Sequence, residues 1–212
     1  MANVNNPFGF QPYGSLQGTV TNFGFDARQI LKTDTTAIFR GDPTLTGTST
    51  EAGFIRQSAG GAGAQVAGIF WDCKYYSIAG KIVVSRPYWP GTSDALSNPF
   101  PANVLSNPGQ RFLVQTGASS GSVSAATQAN VGNTCDFAYG SPNGNTTTGM
   151  STAYLDLFTA VASSGTTLPF RILQLGSDFL EPGSPGSDPT TAYNWVLVGF
   201  NWQELRTTTA VA

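Results

Sequence analysis

The stretch GIFWDCKYYSI, residues 68–78, sets the fold class of this chain. Along an extended backbone Ile69, Trp71, Cys73 and Tyr75 fall on one side, and Phe70, Asp72, Lys74 and Tyr76 on the other. Successive side chains of a strand point to opposite faces, so period two with one mixed face reads as a half-buried β-strand. The same reading extends outward to KIVVSR (81–86), RFLVQT (111–116) and MSTAYLDLF (150–158), each short, β-branched or aromatic, and bounded by Gly, Pro, Asn or Ser. In NWVLVGFNWQEL (194–205), Val196, Val198, Phe200 and Trp202 share one face, while Trp195 and Leu197 open the other. A strand apolar on both sides is either central in its sheet or covered by another subunit.

The spacers between these runs are turn chemistry. SNPFP (97–101), SNPGQ (106–110), GSPNGN (140–145) and LEPGSPGSDP (180–189) supply Asn-Pro, Asn-Gly and Pro-Gly steps. The last of them predicts a long loop between the final strands. Helix signals are thin: DARQILKTDTTAIF (26–39) could carry a turn or two, against its β-branched content. There is no heptad and no internal repeat. Many short strands separated by turns predict an all-β fold, a β-barrel or a jelly-roll-like β-sandwich. The expected organisation is an extended N-terminal arm over residues 1–18 and a single β-rich domain over 19–212.

Composition narrows the function. Charged residues are 10% of the 212, far below an average globular protein, and aromatics reach 12%. That apolar content excludes disorder. Formal net charge is -2 and no Lys/Arg cluster is present, so direct nucleic-acid binding is not expected. No apolar segment approaches the roughly 20 residues that cross a bilayer, so no membrane partner is expected either. The N-terminal sequence lacks the basic and apolar regions of a secretory signal, which leads to an expectation of synthesis in a cytoplasm. Cys73 and Cys135 fit no metal-ligand spacing and read as reduced thiols, Cys73 within an apolar run.

Catalytic chemistry finds little footing. Histidine is absent, which removes the usual general base, the commonest transition-metal ligand and Ser-His triads together. Asp26, Asp34, Asp42, Asp72, Asp94, Asp136, Asp156, Asp178 and Asp188 stand singly, and none forms a D-x-D metal loop. GGAGAQVAG (60–68) lacks the third-glycine spacing of a dinucleotide fingerprint and reads as a surface turn. Asn145-Thr146-Thr147 has the form of a glycosylation sequon, which carries no meaning without secretion. The expectation is a protein without catalytic, cofactor or metal sites.

Five pieces occur in a fixed order: NPFGFQP (6–12), AIFRGDP (37–43), YWPG (88–91), NPGQRFLVQ (107–115) and GMSTAYLDL (149–157). This series resembles the head decoration, or cement, proteins of tailed bacteriophages, small structural proteins encoded beside the shell protein. The resemblance implies a virion protein on the capsid exterior, binding the major capsid protein as a homotrimer where neighbouring capsomers meet. The chain lacks the long helix expected of the shell protein itself, which fits an accessory part. Other virion parts, such as a tail-tube or adsorption protein, and a carbohydrate-binding β-module are the alternatives.

Candidate contact residues follow from aromatic content. Tyr, Trp and Phe dominate interface hot spots. In the leader, Pro7, Phe8, Phe10, Pro12 and Tyr13 sit among residues that break regular structure, and predict an extended arm anchored on a partner; the alternative is that Phe8, Phe10 and Tyr13 fold back and cover an open end of the barrel. Tyr88 and Trp89 read as a strand end with a packed Trp, or else as a second candidate patch, and Trp195 and Leu197 as a third on the doubly apolar strand.

Overall fold

Where apolar and polar residues alternate, the chain runs extended and pairs. The computed structural model describes residues 2–15, 24–61, 64–161 and 167–206. Its strands, in chain order, begin with β1 (Gln11–Ser15), β2 (Phe25–Arg28), β3 (Ile38–Phe39), β4 (Pro43–Thr46) and β5 (Ile55–Gln57). Next come β6 (Gly68–Ser77), β7 (Ile82–Arg86), β8 (Tyr88–Trp89), β9 (Ala102–Leu105) and β10 (Gln110–Gly117). The last four are β11 (Thr134–Gly144), β12 (Ser151–Val161), β13 (Phe170–Leu175) and β14 (Trp195–Phe200). Helical structure among the described residues is confined to short 3-10 turns. The fold is all-β.

Strands β10, β12, β11, β13 and β14 form a closed five-stranded barrel, because β14 pairs back onto β10. The seam of this barrel is unusual. Strand β10 meets β12 in parallel at only two steps, Thr116 with Leu155 and Gly117 with Asp156. The first half of the same β10 edge is covered by β1, with Gln11 opposite Leu113 and Ser15 opposite Gln110. Just before β1, the Gly9 N–H donates to the Ala153 carbonyl of β12 at 3.1 Å. The leader thus fills the gap between β10 and β12 as an additional stave. Gly9 has φ +75°, and a Cβ there would stand 2.7 Å from Ser151 Cβ, so only glycine permits this approach.

Phe10 points from that stave into the barrel. It is fully buried, stacked on Phe170 with ring centroids 4.3 Å apart, and edge-on to Phe112 and Phe137. Phe200 completes the aromatic centre against Phe112 and Phe170. A second sheet, ordered β2-β9-β6-β4-β5 with β7 added to β6, packs over its own core of Ile30, Ile38, Ile55, Phe70, Tyr75 and Trp89. The two cores adjoin where Ile69 and Leu105 reach into the barrel and Gln203 Nε2 donates to the Ser106 carbonyl.

Several expectations change here. Strand β14 lies between β10 and β13, so its apolar second face belongs to a central strand and Leu197 is buried within the chain. The 26–39 segment forms β2, a bridge from Ile30 to Ile55, and β3, in keeping with its β-branched content, and Ile30 and Ile38 are fully buried. The leader is not a separate arm over the described residues 6–15, since its backbone and Phe10 complete the barrel; residues 16–18 lie outside the described ones. In 60–68, Val66 and Ala67 are buried rather than part of a surface turn.

Removing Phe10 empties the aromatic centre, so Phe10→Ala is expected to cost about 3–5 kcal/mol in denaturant unfolding. A truncated chain lacking residues 2–15 is expected to lose at least as much. Unchanged unfolding midpoints in both would show that the leader does not close the barrel.

Candidate functional site

The leader and the long connection between β13 and β14 meet at one end of the barrel. Gln115, on β10 opposite Trp195, reaches across with its side-chain amide. Its Oε1 accepts the Asn6 N–H at 2.9 Å, while Nε2 donates to the carbonyls of Val4 at 2.8 Å and Tyr193 at 3.2 Å. Asn3 adds a second tie: its Nδ2 donates to the carbonyls of Asp188 and Thr191. Buried Asn194 fixes the loop from beneath, donating to the Ala126 carbonyl and accepting from Ala126 N–H and Thr116 Oγ1. Amides suit this task because each both donates and accepts, and so satisfies irregular backbone on two sides.

Two clefts flank the docked leader. One, of about 460 Å³, is walled by Val4, Phe8, Pro185, Trp195 and the Gln115 amide. The Phe8 ring stands edge-on to Trp195 at 4.9 Å. Gly186, at φ +78°, lies so close that a Cβ would fall 2.1 Å from the indole, which makes glycine obligatory where the loop crosses Trp195. The other cleft, of about 450 Å³, presents Asn5, Pro7, Ser141, Thr152, Tyr154 and Tyr193. Neither cleft is walled by a carboxylate or a thiol.

The residues expected at contacts therefore divide. Pro7, Phe8 and Trp195 come together around the leader, and Tyr13 lies further along it, half exposed beside Phe179 at 5.0 Å. Pro12 is part of the β1 stave. Phe10, Trp89 and Leu197 are buried inside the chain and can anchor no partner. Trp89 donates its indole N–H to the Asp34 carbonyl and meets Tyr75 edge-on. Tyr88 is half-buried and stacked on Phe39. Gln115, Asn194 and the 181–188 loop had no signal in the sequence beyond turn residues, because their roles depend on segments distant in the chain.

The carboxylates are not all isolated. Asp136 and Asp156 stand opposite each other on β11 and β12, both buried. Asp136 accepts the Gly61 N–H, and Asp156 accepts from Ser119 N–H, Ser119 Oγ and Phe158 N–H. Burial raises the pKa of Asp136, against the hydrogen bonds from Phe137 and Gly61 and with Asp156 adding to the rise. Each carboxylate pins a neighbouring loop to the barrel wall. Asp42, fully buried between the two sheets, accepts from Phe39 N–H at 2.8 Å and Gln57 Nε2 at 2.6 Å. Burial pushes its pKa up to about 7, although hydrogen bonds from Ser151, Phe39 and Gln57 hold it down.

Cys73 and Cys135 are free and buried, and burial pushes both thiols up to about 12. Among the described residues no group of three or more His, Cys, Asp or Glu lies together as a metal site requires, and no helix is long and apolar enough to cross a membrane. No protein-family model, curated protein or solved structure matches this chain.

Asp42 makes stability depend on pH. Its folded pKa of about 7 lies above the ordinary value of 3.8, so the folded chain holds a proton that the unfolded chain releases between these values. This contribution is fully present below the lower value, is lost as pH rises through about 7, and changes little above it. Asp42→Asn keeps an acceptor for Phe39 and Gln57 and removes the titration. The melting temperature of the parent chain is expected to fall more between pH 5 and pH 8 than that of the variant. Parallel pH profiles would refute this role.

Proposed function

We propose that this protein is a non-enzymatic structural component of a phage virion. It binds the major capsid protein on the outside of the shell, as a trimer bridging capsomers, and stabilises the mature head. The observation that carries the reading is the pairing of two aromatic and amide-walled clefts, free of carboxylates and thiols, with the ordered series of motifs from residue 6 to residue 157. Aromatic walls of that kind suit contacts with another protein. The low charge adds support, because weakly charged surfaces give little repulsion between associating proteins.

The mechanism is mass action. A protein that prefers the expanded shell lowers its free energy relative to any opened state, as a ligand stabilises the state it prefers. Linked copies strengthen the effect, since one seated subunit raises the effective concentration of the others to roughly millimolar. A barrel whose loops are pinned by Gln115, Asn194, Asp136 and Asp156 presents its outer loops with little ordering cost on binding.

One observation favours a second reading, a carbohydrate-binding module. Tyr154 and Tyr193 share a cleft with Asn5, Ser141 and Thr152, a mix of aromatic faces and hydroxyl or amide groups that suits a sugar ring.

Purified protein mixed with expanded, undecorated heads of its own phage is expected to add ordered density to the shell exterior in electron-microscopy maps. Density confined to tails, or no binding at all, would overturn the decoration reading. Saturable glycan binding lost in Tyr193→Ala would favour the sugar-binding one.

A further inference from the structure

We propose that copies of this chain bind head to tail, the β6–β7 hairpin of one copy seating in the cleft between the leader and the 176–190 loop of the next. The inference names a contact between copies that the trimeric reading leaves open, and its test needs no shell, so it and the capsid reading can fail separately.

The hairpin leaves an unusual amount of apolar surface open. In it Tyr76 pairs with Val83 and Ser77 with Ile82, and β7 pairs with β6 alone. Ile78 is 50% exposed, Ile82 59% and Val83 68%, and the adjoining Leu96, whose N–H donates to the Tyr76 carbonyl, is 58% exposed. Sheet edges that face water are normally short or interrupted by charge, and contiguous exposed apolar residues mark contact sites.

Charge identifies what covers it. The chain has three lysines, and all three surround this patch. Lys74 and Lys81 are exposed on the hairpin, and the Lys32 ammonium reaches the Leu96 carbonyl at 3.5 Å. Residues 74–85 contain no Asp or Glu. The nearby Asp94 carboxylate is held by Ser77 Oγ and the Ala79 N–H at the turn.

The complementary surface is on the same molecule. Residues 176–190 carry Asp178, Glu181 and Asp188 and no Lys or Arg. Asp178 and Glu181 are exposed. Glu181 leads into Gly183–Gly186, which wall the 460 Å³ cleft whose other walls are Phe8, Trp195 and the 73% exposed Val4. An apolar hairpin ringed by lysines thus matches an apolar cleft that has no carboxylate in its own walls but is formed in part by a loop carrying three.

Within one copy the hairpin residues remain exposed and line neither cleft. Strand β14 runs from Trp195 at the cleft towards Gln203 at the junction with the second sheet, and β6 runs from Gly68 near that junction out to the hairpin. A contact between unlike surfaces of identical chains propagates, and closes as a ring when the rotation allows.

The test uses the isolated full-length chain in analytical ultracentrifugation at low and high salt. The parent is expected to self-associate, more weakly at high salt. Lys81→Glu and Glu181→Lys are each expected to weaken association by about tenfold or more, and the double variant to regain most of it. Both positions are exposed, so melting temperatures should match the parent. Lys74→Glu serves as the second hairpin variant if Lys81→Glu fails to fold. A parent that stays monomeric at about 100 μM, or association indifferent to every charge change, overturns the proposal. Weakening by the single changes without recovery in the double variant also overturns it, and assigns the hairpin to a different acidic partner.

Discussion

Closure of the barrel seam is the constraint on which the rest of this structure depends. Strand β10 touches β12 at only two steps before the strands diverge, which would leave backbone N–H and C=O groups of both strands facing a gap. Unpaired buried backbone is costly, and an open edge invites association with other chains. The leader resolves both problems by pairing β1 with β10, bonding Gly9 to Ala153 and placing Phe10 among Phe112, Phe137 and Phe170. An aromatic-rich and irregular segment suits the position, since the leader bonds to β12 at Gly9 and pairs with β10 from Gln11, with a register shift between Pro12 and Gly14.

From that closure follows the organisation of the loops. Docking the leader brings Asn3, Val4 and Asn6 against the β13–β14 connection, where the Gln115 amide binds both segments at once. The same device recurs deeper in the wall. Asn194 joins the loop to Ala126, Asp156 holds Ser119, and Asp136 holds Gly61. Buried polar groups here fasten irregular backbone to regular strands. Low charge is therefore compatible with a well-fixed surface, because the fastening comes from hydrogen bonds within the chain; the structure gives ion pairs only between Arg28 and Asp26 and between Arg56 and Glu51 among the described residues.

This division of labour bears on function. The barrel carries loops fixed by hydrogen bonds, and the second sheet carries an exposed hairpin. The clefts beside the leader are made by the folding of the leader itself, so stability and any binding by these clefts are coupled through Phe8 and Phe10. Phe10 anchors the leader inside, and Phe8, two residues earlier, meets Trp195 at the surface.

Much was legible in the sequence because strand alternation is a local property of covalent geometry. From Cys73 onward the expected period appears in β6 as buried Cys73 and Tyr75 against exposed Lys74 and Tyr76, whereas Ile69 and Phe70 are both buried, in different cores, ahead of a register shift between Phe70 and Asp72 that the sequence did not reveal. The Pro, Gly and Asn spacers stand at the turns, and the all-β class follows from both. Which apolar strand faces water was not legible. Val83 and Val196 are the same residue type in similar runs, yet one lies on an exposed edge and the other in a central strand. Nor did composition disclose that Phe10 closes a barrel or that three lysines gather around one hairpin. Those outcomes depend on pairings between segments far apart in the chain: residue 11 with 113, residue 32 with 96, residue 115 with 195. A residue's face is set by its immediate neighbours, but its partner is chosen by the whole fold, and only the tertiary structure decides which surfaces remain open.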